Sequence, residues 1–267
     1  MQAAILTDLT RCLDCGACVW ACKEANGLPS DDKAERLSAT SFTIVERRAG
    51  IPIRRQCLHC LEPACVSVCP VAALTKTEAG PVVYDSSRCI GCRYCMIGCP
   101  FGIPRYEWDK PLPLVRKCTM CWEKRMSRGL PPACTAVCPG GATVFGDREA
   151  LLREADRRIA AEPDRYVHHV YGRSEAGGTS VLYLSGRPFA ELGFPMPVST
   201  SPYPRLTWAI LSKLPNVVSV GGVLLTGIAW LIRRRQTLGE AGGGAGGSEG
   251  PPRTLNAAER AELEGRE

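Results

Sequence analysis

Gln56–Pro70 reads QCLHCLEPACVSVCP, and Arg88–Pro100 reads RCIGCRYCMIGCP. Each stretch carries four cysteines, Cys57, Cys60, Cys65 and Cys69 in the first and Cys89, Cys92, Cys95 and Cys99 in the second, and each ends on Cys-Pro. Outward from this pair the arrangement recurs twice. Upstream lie Cys12, Cys15, Cys18 and Cys22; downstream lie Cys118, Cys121, Cys134 and Cys138, followed by Pro139. These four quartets use all 16 cysteines of the 267-residue chain, and none follows Cys138. The chain therefore divides into a cysteine-dense half and an ordinary one.

The quartet at Cys89 has the C-x2-C-x2-C-x3-C-P spacing of bacterial ferredoxins; the others are the same pattern with a longer loop or without the proline. Three thiolates on one short loop can each reach a different iron of a cubane. The fourth cysteine is expected to start a helix pointing away, toward a neighbouring cluster, and a proline suits a helix start because its missing N–H costs little there. In a two-cluster ferredoxin that fourth cysteine ligates the other cluster. The quartets then work in crossed pairs: Cys57, Cys60, Cys65 with Cys99, and Cys89, Cys92, Cys95 with Cys69. The outer pair is Cys12, Cys15, Cys18 with Cys138, and Cys118, Cys121, Cys134 with Cys22. The expected cofactors are four [4Fe–4S] clusters, since a [3Fe–4S] site usually shows as a missing cysteine and none is missing. Structural zinc also uses CxxC knuckles but seldom four ligands crowded on one short loop. A disulfide scaffold is open to an even cysteine count, yet its cysteines rarely repeat as CxxC triplets ending in CP.

Of the three histidines, His59 sits between Cys57 and Cys60. It either packs at the loop surface or hydrogen-bonds a cluster sulfur and raises its potential. His168 and His169 read as structural. Ser41–Arg55 places β-branched residues around Ala49-Gly50 and predicts a hairpin. Pro81–Tyr84, the GGATVFG stretch after Pro139, and Ser180–Leu184 read as short strands. Arg148–Ala161 carries Leu151, Leu152, Ala155 and Ile159 on one helical face, with Asp147 as N-cap and Pro163 beyond the end. Gly177-Gly178 reads as a turn.

No GxGxxG after a strand, P-loop, GxSxG or HExxH is present, so no catalytic apparatus is read and substrate chemistry is assigned to a partner. The net charge of +6 comes without a basic, aromatic-interleaved surface for nucleic acid. MQAAILTDLTRC has neither a basic n-region nor a long apolar stretch, so no export signal is read in it.

Leu214–Ile232, LPNVVSVGGVLLTGIAWLI, is uncharged and close to the length that spans a bilayer core. Trp208 and Trp230 fall near the two interfaces, and Gly221, Gly222 and Gly227 offer surface for close helix contacts. Arg233-Arg234-Arg235 follow at once, against Arg205 and Lys213 upstream. The positive-inside rule places the C-terminus in the cytoplasm and the cluster domain on the outer face. Gly239–Glu267 contains AGGGAGGSEGPP and reads as a flexible tail.

The stretches QCLHCLEPACVSVCPVAAL, GCRYCMIGCPFGIPRYEWDKP and PPACTAVCPGGATVFG, with HHVYGRSEAGGTSVLYLSG further on, resemble the four-cluster electron-transfer subunits of molybdopterin oxidoreductase and hydrogenase complexes. The likeness is greatest to the hydrogenase-2-type iron–sulfur subunit, and the respiratory formate dehydrogenase beta subunit is similar. The resemblance implies a non-catalytic subunit relaying electrons between a catalytic subunit, [NiFe] hydrogenase or molybdopterin-containing, and a quinone-reactive membrane subunit. It implies the same crossed pairing. A hydrogenase-type subunit normally carries its own twin-arginine signal, whereas a formate dehydrogenase-type subunit crosses the membrane with its partner; the N-terminal reading matches the second. The rival from another class is a free-standing soluble polyferredoxin. The expected fold is α+β: two interleaved dicluster modules, the outer over 1–27 and 102–146 and the inner over 53–101, with a hairpin insert at 28–52. A small αβ extension follows over 147–205, then a transmembrane helix with its basic flank over 206–235 and a tail over 236–267. The expected location is the inner (cytoplasmic) membrane, single-pass, with the cluster domain periplasmic.

Overall fold

The computed structural model describes residues 2–30 and 34–242. Most of the predicted tail, from residue 243 on, and three residues of the 28–52 insert lie outside the described residues.

Chain order begins with β1 (Ala3–Asp8), whose sequence AAILTD is buried at every position. A strand covered on both faces shows no polar alternation, and none of the sequence patterns picked this one out. α1 (Ala17–Asn26) follows, then the hairpin β2 (Thr43–Arg48) and β3 (Ile51–Gln56), turning at Ala49-Gly50 with both residues left-handed, as a two-residue hairpin requires. α2 (Ala64–Ser67), the pair β4 (Leu74–Lys76) and β5 (Val82–Tyr84), and α3 (Tyr94–Ile97) come next. The pair β6 (Arg105–Tyr106) and β7 (Val115–Arg116) precedes α4 (Ala133–Ala136) and β8 (Thr143–Asp147). α5 (Arg148–Ala161) starts where expected: the Asp147 carboxylate accepts from the N–H groups of Glu149 and Ala150. β9 (Val181–Leu184) completes a sheet of order β8-β1-β9, antiparallel on one side of β1 and parallel on the other.

This sheet ties the N-terminus, the end of the cysteine-rich stretch and the following extension into one compact unit reaching residue 209. Its two faces do different work. Leu6, Leu182 and Leu184 meet Leu151, Leu152 and Ala155 of α5. Ile5, Val181 and Tyr183 point the other way, against Cys57, Leu58, Ile103, Cys118, Phe189 and Phe194. The period of two along β1 and β9 thus presses helix α5 on one side and the cysteine-bearing loops on the other. Gly177 and Gly178 are both left-handed, as a turn there requires, and a Cβ on Gly177 would lie 2.3 Å from Pro202 Cγ.

At the C-terminal end, α6 (Tyr203–Leu211) and α7 (Leu214–Gly242) form one helical stretch, Tyr203–Gly239, long and apolar enough to cross a membrane, with mean hydropathy 1.7. The helix outruns the Leu214–Ile232 span because the arginines after Ile232 are good helix formers with nothing to break the helix. Gly221, Gly222 and Gly227 have no neighbour within 4 Å of a Cβ position, so any close helix contact they serve is not within the described residues.

One buried charge cluster fastens β1. Asp8 is fully buried; its carboxylate accepts from Tyr166 Oη (2.9 Å), Thr10 Oγ1 (2.7 Å) and Arg158 Nη1 (3.1 Å). Removing one partner of a buried, hydrogen-bonded ion pair leaves the other uncompensated. Asp8→Ala should therefore cost about 3 kcal/mol and Tyr166→Phe about 1 kcal/mol. Both would be read as lowered unfolding temperatures by circular dichroism; equal temperatures for Asp8→Ala and wild type would refute the role.

Candidate cluster sites

The four quartets share one local design. Of the two residues between the first and second cysteines, the second is left-handed in every quartet: Asp14 (φ 55°), His59 (φ 50°), Gly91 (φ 70°) and Met120 (φ 57°). That conformation turns the chain so that its N–H can face the preceding thiol. Gly91 N donates to Cys89 Sγ at 3.4 Å, and Met120 N donates to Cys118 Sγ at 3.3 Å. Glycine adopts this geometry freely, whereas Asp, His and Met are strained in it by about 1 kcal/mol each. The strain recurs at equivalent positions, so it belongs to the site.

Short helices carry the third cysteines: Cys65 in α2, Cys95 in α3 and Cys134 in α4. Contrary to expectation, Cys69, Cys99 and Cys138 do not start helices; each follows the end of one. The reason is the proline after each, which disfavours helical backbone at the residue before it. Cys22 has no following proline, and α1 accordingly carries both Cys18 and Cys22 and runs on to Asn26. Ala73 N donates to Cys69 Sγ (3.2 Å) and Ile103 N to Cys99 Sγ (3.5 Å), the same contact in two quartets.

Thiols from different quartets meet. Cys12, Cys15, Cys18 and Cys138 line one cavity, together with Arg54. Cys69, Cys89, Cys92 and Cys95 line another. α1 packs on α4, and α2 packs on α3. Burial pushes the Cys22 thiol up to about 12, helped by the neighbouring Cys134 and Cys121. Burial likewise pushes Cys65 up to about 12, with Cys57 adding to it and Cys99 nearby. Cys60 and Cys118 stand well above the ordinary thiol range for the same first reason, with Cys57 and Cys99 acting on Cys60, and Cys22, Cys57 and Cys134 on Cys118. Cys89 and Cys138 go the other way. At Cys89 burial is outweighed by the Tyr84 hydroxyl and the N–H of Gly91; at Cys138 it is outweighed by hydrogen bonds from Thr143, Ala142 and Gly140.

No disulfide joins any of the sixteen cysteines. Among the described residues no three Cys, His, Asp or Glu side chains converge on a position for a single ion. Cysteines set around a cavity, with N–H donors aimed at sulfur, fit a cubane better than a tetrahedral zinc. A bound cubane supplies reversible one-electron storage. The chain's part is to hold it, exclude water and set its charge environment.

His59 departs from the surface packing that its place in the quartet suggested. It is buried, and its Nδ1 accepts from Val82 N at 2.9 Å. The proton is then on Nε2, which is buried without a partner among the described residues. Burial, with Lys117 and Lys76 nearby, holds the ring well below the usual imidazole range and so neutral. Sequence reasoning passed over these cations. Lys117 is buried and its Nζ donates to the carbonyls of Val82 (2.6 Å) and Cys118 (2.9 Å); Lys76 Nζ donates to the carbonyl of Cys60 (2.8 Å). His169 Nε2 lies 2.6 Å from Glu175 Oε1, a structural pairing.

Four cysteine quartets in this geometry define an iron–sulfur protein of the ferredoxin type, holding four [4Fe–4S] clusters. The model of the 4Fe-4S dicluster domain matches residues 51–148. A Nitratidesulfovibrio vulgaris protein is 43% identical over 251 residues, covering 88% of this chain and 68% of that one. The hydrogenase-2 operon protein HybA of Escherichia coli O157:H7 is 35% identical over 279 residues, covering 86% and 84%. The nitrate-inducible formate dehydrogenase iron–sulfur subunit of Escherichia coli K12 is 38% identical over 202 residues, 68% of each chain. The chain belongs to the same family as these proteins, and it is an iron–sulfur electron-transfer subunit.

Purified anaerobically, the protein should be brown and carry about sixteen iron and about sixteen acid-labile sulfide per chain, four of each per cluster. Stoichiometric zinc without labile sulfide would refute the assignment.

Proposed function

We propose that this chain relays electrons between a catalytic subunit of hydrogenase-2 type and a quinone-reactive membrane subunit, anchored by its own C-terminal helix with the cluster domain on the periplasmic face. The carrying observation is where the cysteines meet the surface. Cys22, Cys57, Cys65, Cys95, Cys118, Cys121 and Cys134 are buried, whereas Cys15 is exposed. Exposed apolar side chains flank two of the quartets: Leu13 and Trp20 around Cys15, and Ile90, Tyr94 and Ile97 around Cys92 and Cys95. A relay with a shielded middle and exposed apolar surface beside two of its quartets suits two redox partners, because patches of this kind favour docking. The match to HybA runs over 86% of this chain and 84% of that one, against 68% of each for the Escherichia coli K12 formate dehydrogenase subunit, and this longer match supports the hydrogenase type. A soluble polyferredoxin does not account for the apolar helix at Tyr203–Gly239.

The crossed ligand sets are part of this reading: Cys12, Cys15, Cys18 and Cys138; Cys22, Cys118, Cys121 and Cys134; Cys57, Cys60, Cys65 and Cys99; Cys69, Cys89, Cys92 and Cys95. The two mixed cavities, the mutual neighbours of the buried thiols, and the packing of α1 on α4 and α2 on α3 support it. The same packing supports an inner module inserted within an outer one.

Cys99→Ser should perturb the cluster held by Cys57, Cys60 and Cys65, seen as one altered signal in the reduced EPR spectrum, and leave that on Cys89, Cys92 and Cys95 intact. Loss of the latter instead would mean that each quartet closes on its own cluster. For the anchor, Arg233-Arg234-Arg235 outweigh Arg205 and Lys213 in the positive-inside balance. Protease added to spheroplasts should cut the cluster domain and spare the residues after Arg235. Deletion from Leu206 onward should release a cluster domain that keeps its iron and no longer reduces quinone. A protected cluster domain with a digested C-terminus would invert the orientation.

A further inference from the structure

Arg54 projects from β3 of the hairpin and is 2% exposed. Its Nε donates to Thr43 Oγ1 at 3.2 Å, and its Nη2 donates to Gln56 Oε1. Both partners are neutral. Its Nη1 is buried and has no partner among the described residues. A guanidinium keeps its proton in proteins, so this is a fixed positive charge taken out of water. Such a charge is strongly unfavourable unless an anion lies beside it. The groups that favour its charge are the sulfurs of Cys134 and Cys18, the Tyr183 phenol and the sulfur of Cys118, and no carboxylate stands among the leading ones. Arg54 also lines the cavity bounded by Cys12, Cys15, Cys18 and Cys138. A cubane held by four thiolates is an anion in both oxidation states and one charge more negative when reduced.

We propose that Arg54 is the buried counter-charge of the outer cluster pair, donating its free Nη1–H to a sulfur there and favouring the reduced state of those clusters. Thr43 and Gln56 act as positioning residues that fix the guanidinium plane. The hairpin, which contributes no cysteine, thereby gains a redox role: it delivers one cation to the place where two quartets face each other. The inner thiols Cys60 and Cys65 have cations of their own nearby in Lys76 and Lys117. This proposal rests on the presence of clusters at those cysteines and not on which fourth cysteine closes which cluster, because Cys18 lines a cavity with Arg54 and the charges of Cys18, Cys118 and Cys134 all act on it.

The test is an EPR-monitored redox titration of the full chain as wild type, Arg54→Met, Arg54→Lys and Thr43→Val, each first assayed for iron and sulfide. At a fixed potential, Arg54→Met should lower the reduced-to-oxidised ratio of two clusters by about tenfold and leave the other two unmoved, as loss of a close buried charge requires. Arg54→Lys keeps the charge and should recover most of that ratio. Thr43→Val frees only one guanidinium contact and should shift the same two clusters in the same direction by less. Unchanged midpoints in fully loaded Arg54→Met would overturn the proposal, and equal shifts in the Met and Lys variants would overturn its attribution to charge. If Arg54→Met does not load, Thr43→Val decides: midpoints identical to wild type would overturn the proposal. The Cys99→Ser experiment tests the crossed pairing separately, so the two readings fail independently.

Discussion

Sixteen thiols drawn into one small volume set the terms for everything else in this protein. Water stabilises a thiolate, and burial removes that stabilisation, which is why Cys22 and Cys65 are pushed up to about 12. A thiol so placed keeps its proton until a metal displaces it, so cluster insertion and proton release are one event. The protein eases that exchange unequally. Cys89 and Cys138 lie below the usual thiol range because burial is outweighed by the neighbouring Tyr84 hydroxyl and the Gly91 N–H at Cys89, and by Thr143 with the N–H groups of Ala142 and Gly140 at Cys138.

The remaining architecture answers the same demand. Loops that wrap clusters have little regular structure of their own; α2, α3 and α4 are single turns. They need a rigid wall, and the β8-β1-β9 sheet supplies it. Tyr183 shows the connection at one residue: its ring packs in the core beside Phe194, and its hydroxyl donates to the carbonyl of Arg54 at 2.9 Å. The sheet thereby grips the hairpin at the residue whose side chain reaches the outer thiols. The Asp8 cluster fixes the same end of β1 to α5 through Arg158. Helix, sheet and cysteine layer are thus one stack, in which the extension after residue 146 is a structural member of the cluster domain.

The cofactor class was legible because its chemistry demands a spacing that few other sites share. The Ala49-Gly50 hairpin, the Asp147 cap and the α5 stripe were legible because each is set by residues close in sequence. β1 was not. Its partners β8 and β9 lie more than a hundred residues away, and burial on both faces erases the alternation that would mark it. Arg54 and Lys117 were passed over for a related reason. In sequence they are two basic residues among 33, and only the fold reveals that they are buried. The left-handed residue inside each CxxC was equally hidden, since Asp14, His59, Gly91 and Met120 share no chemistry.

The prolines show how a sequence signal can be read correctly and its geometry inverted. Cys-Pro was expected to open a helix, because proline is well tolerated at a first turn. Its stronger effect falls on the residue before it, the cysteine itself. That cysteine must leave the helix, and its backbone then turns so that an N–H four residues on meets its sulfur, as Ala73 does for Cys69 and Ile103 for Cys99. Where the proline is missing the helix continues, and Asn26, one turn beyond Cys22, takes over the contact: its Nδ2 donates to the Cys22 carbonyl at 2.7 Å and reaches Cys22 Sγ at 3.6 Å. Two local structures thus give the fourth cysteine a donor from position i+4. The constraint they serve is polarisation of the sulfur, and helix or turn is the means by which each quartet meets it.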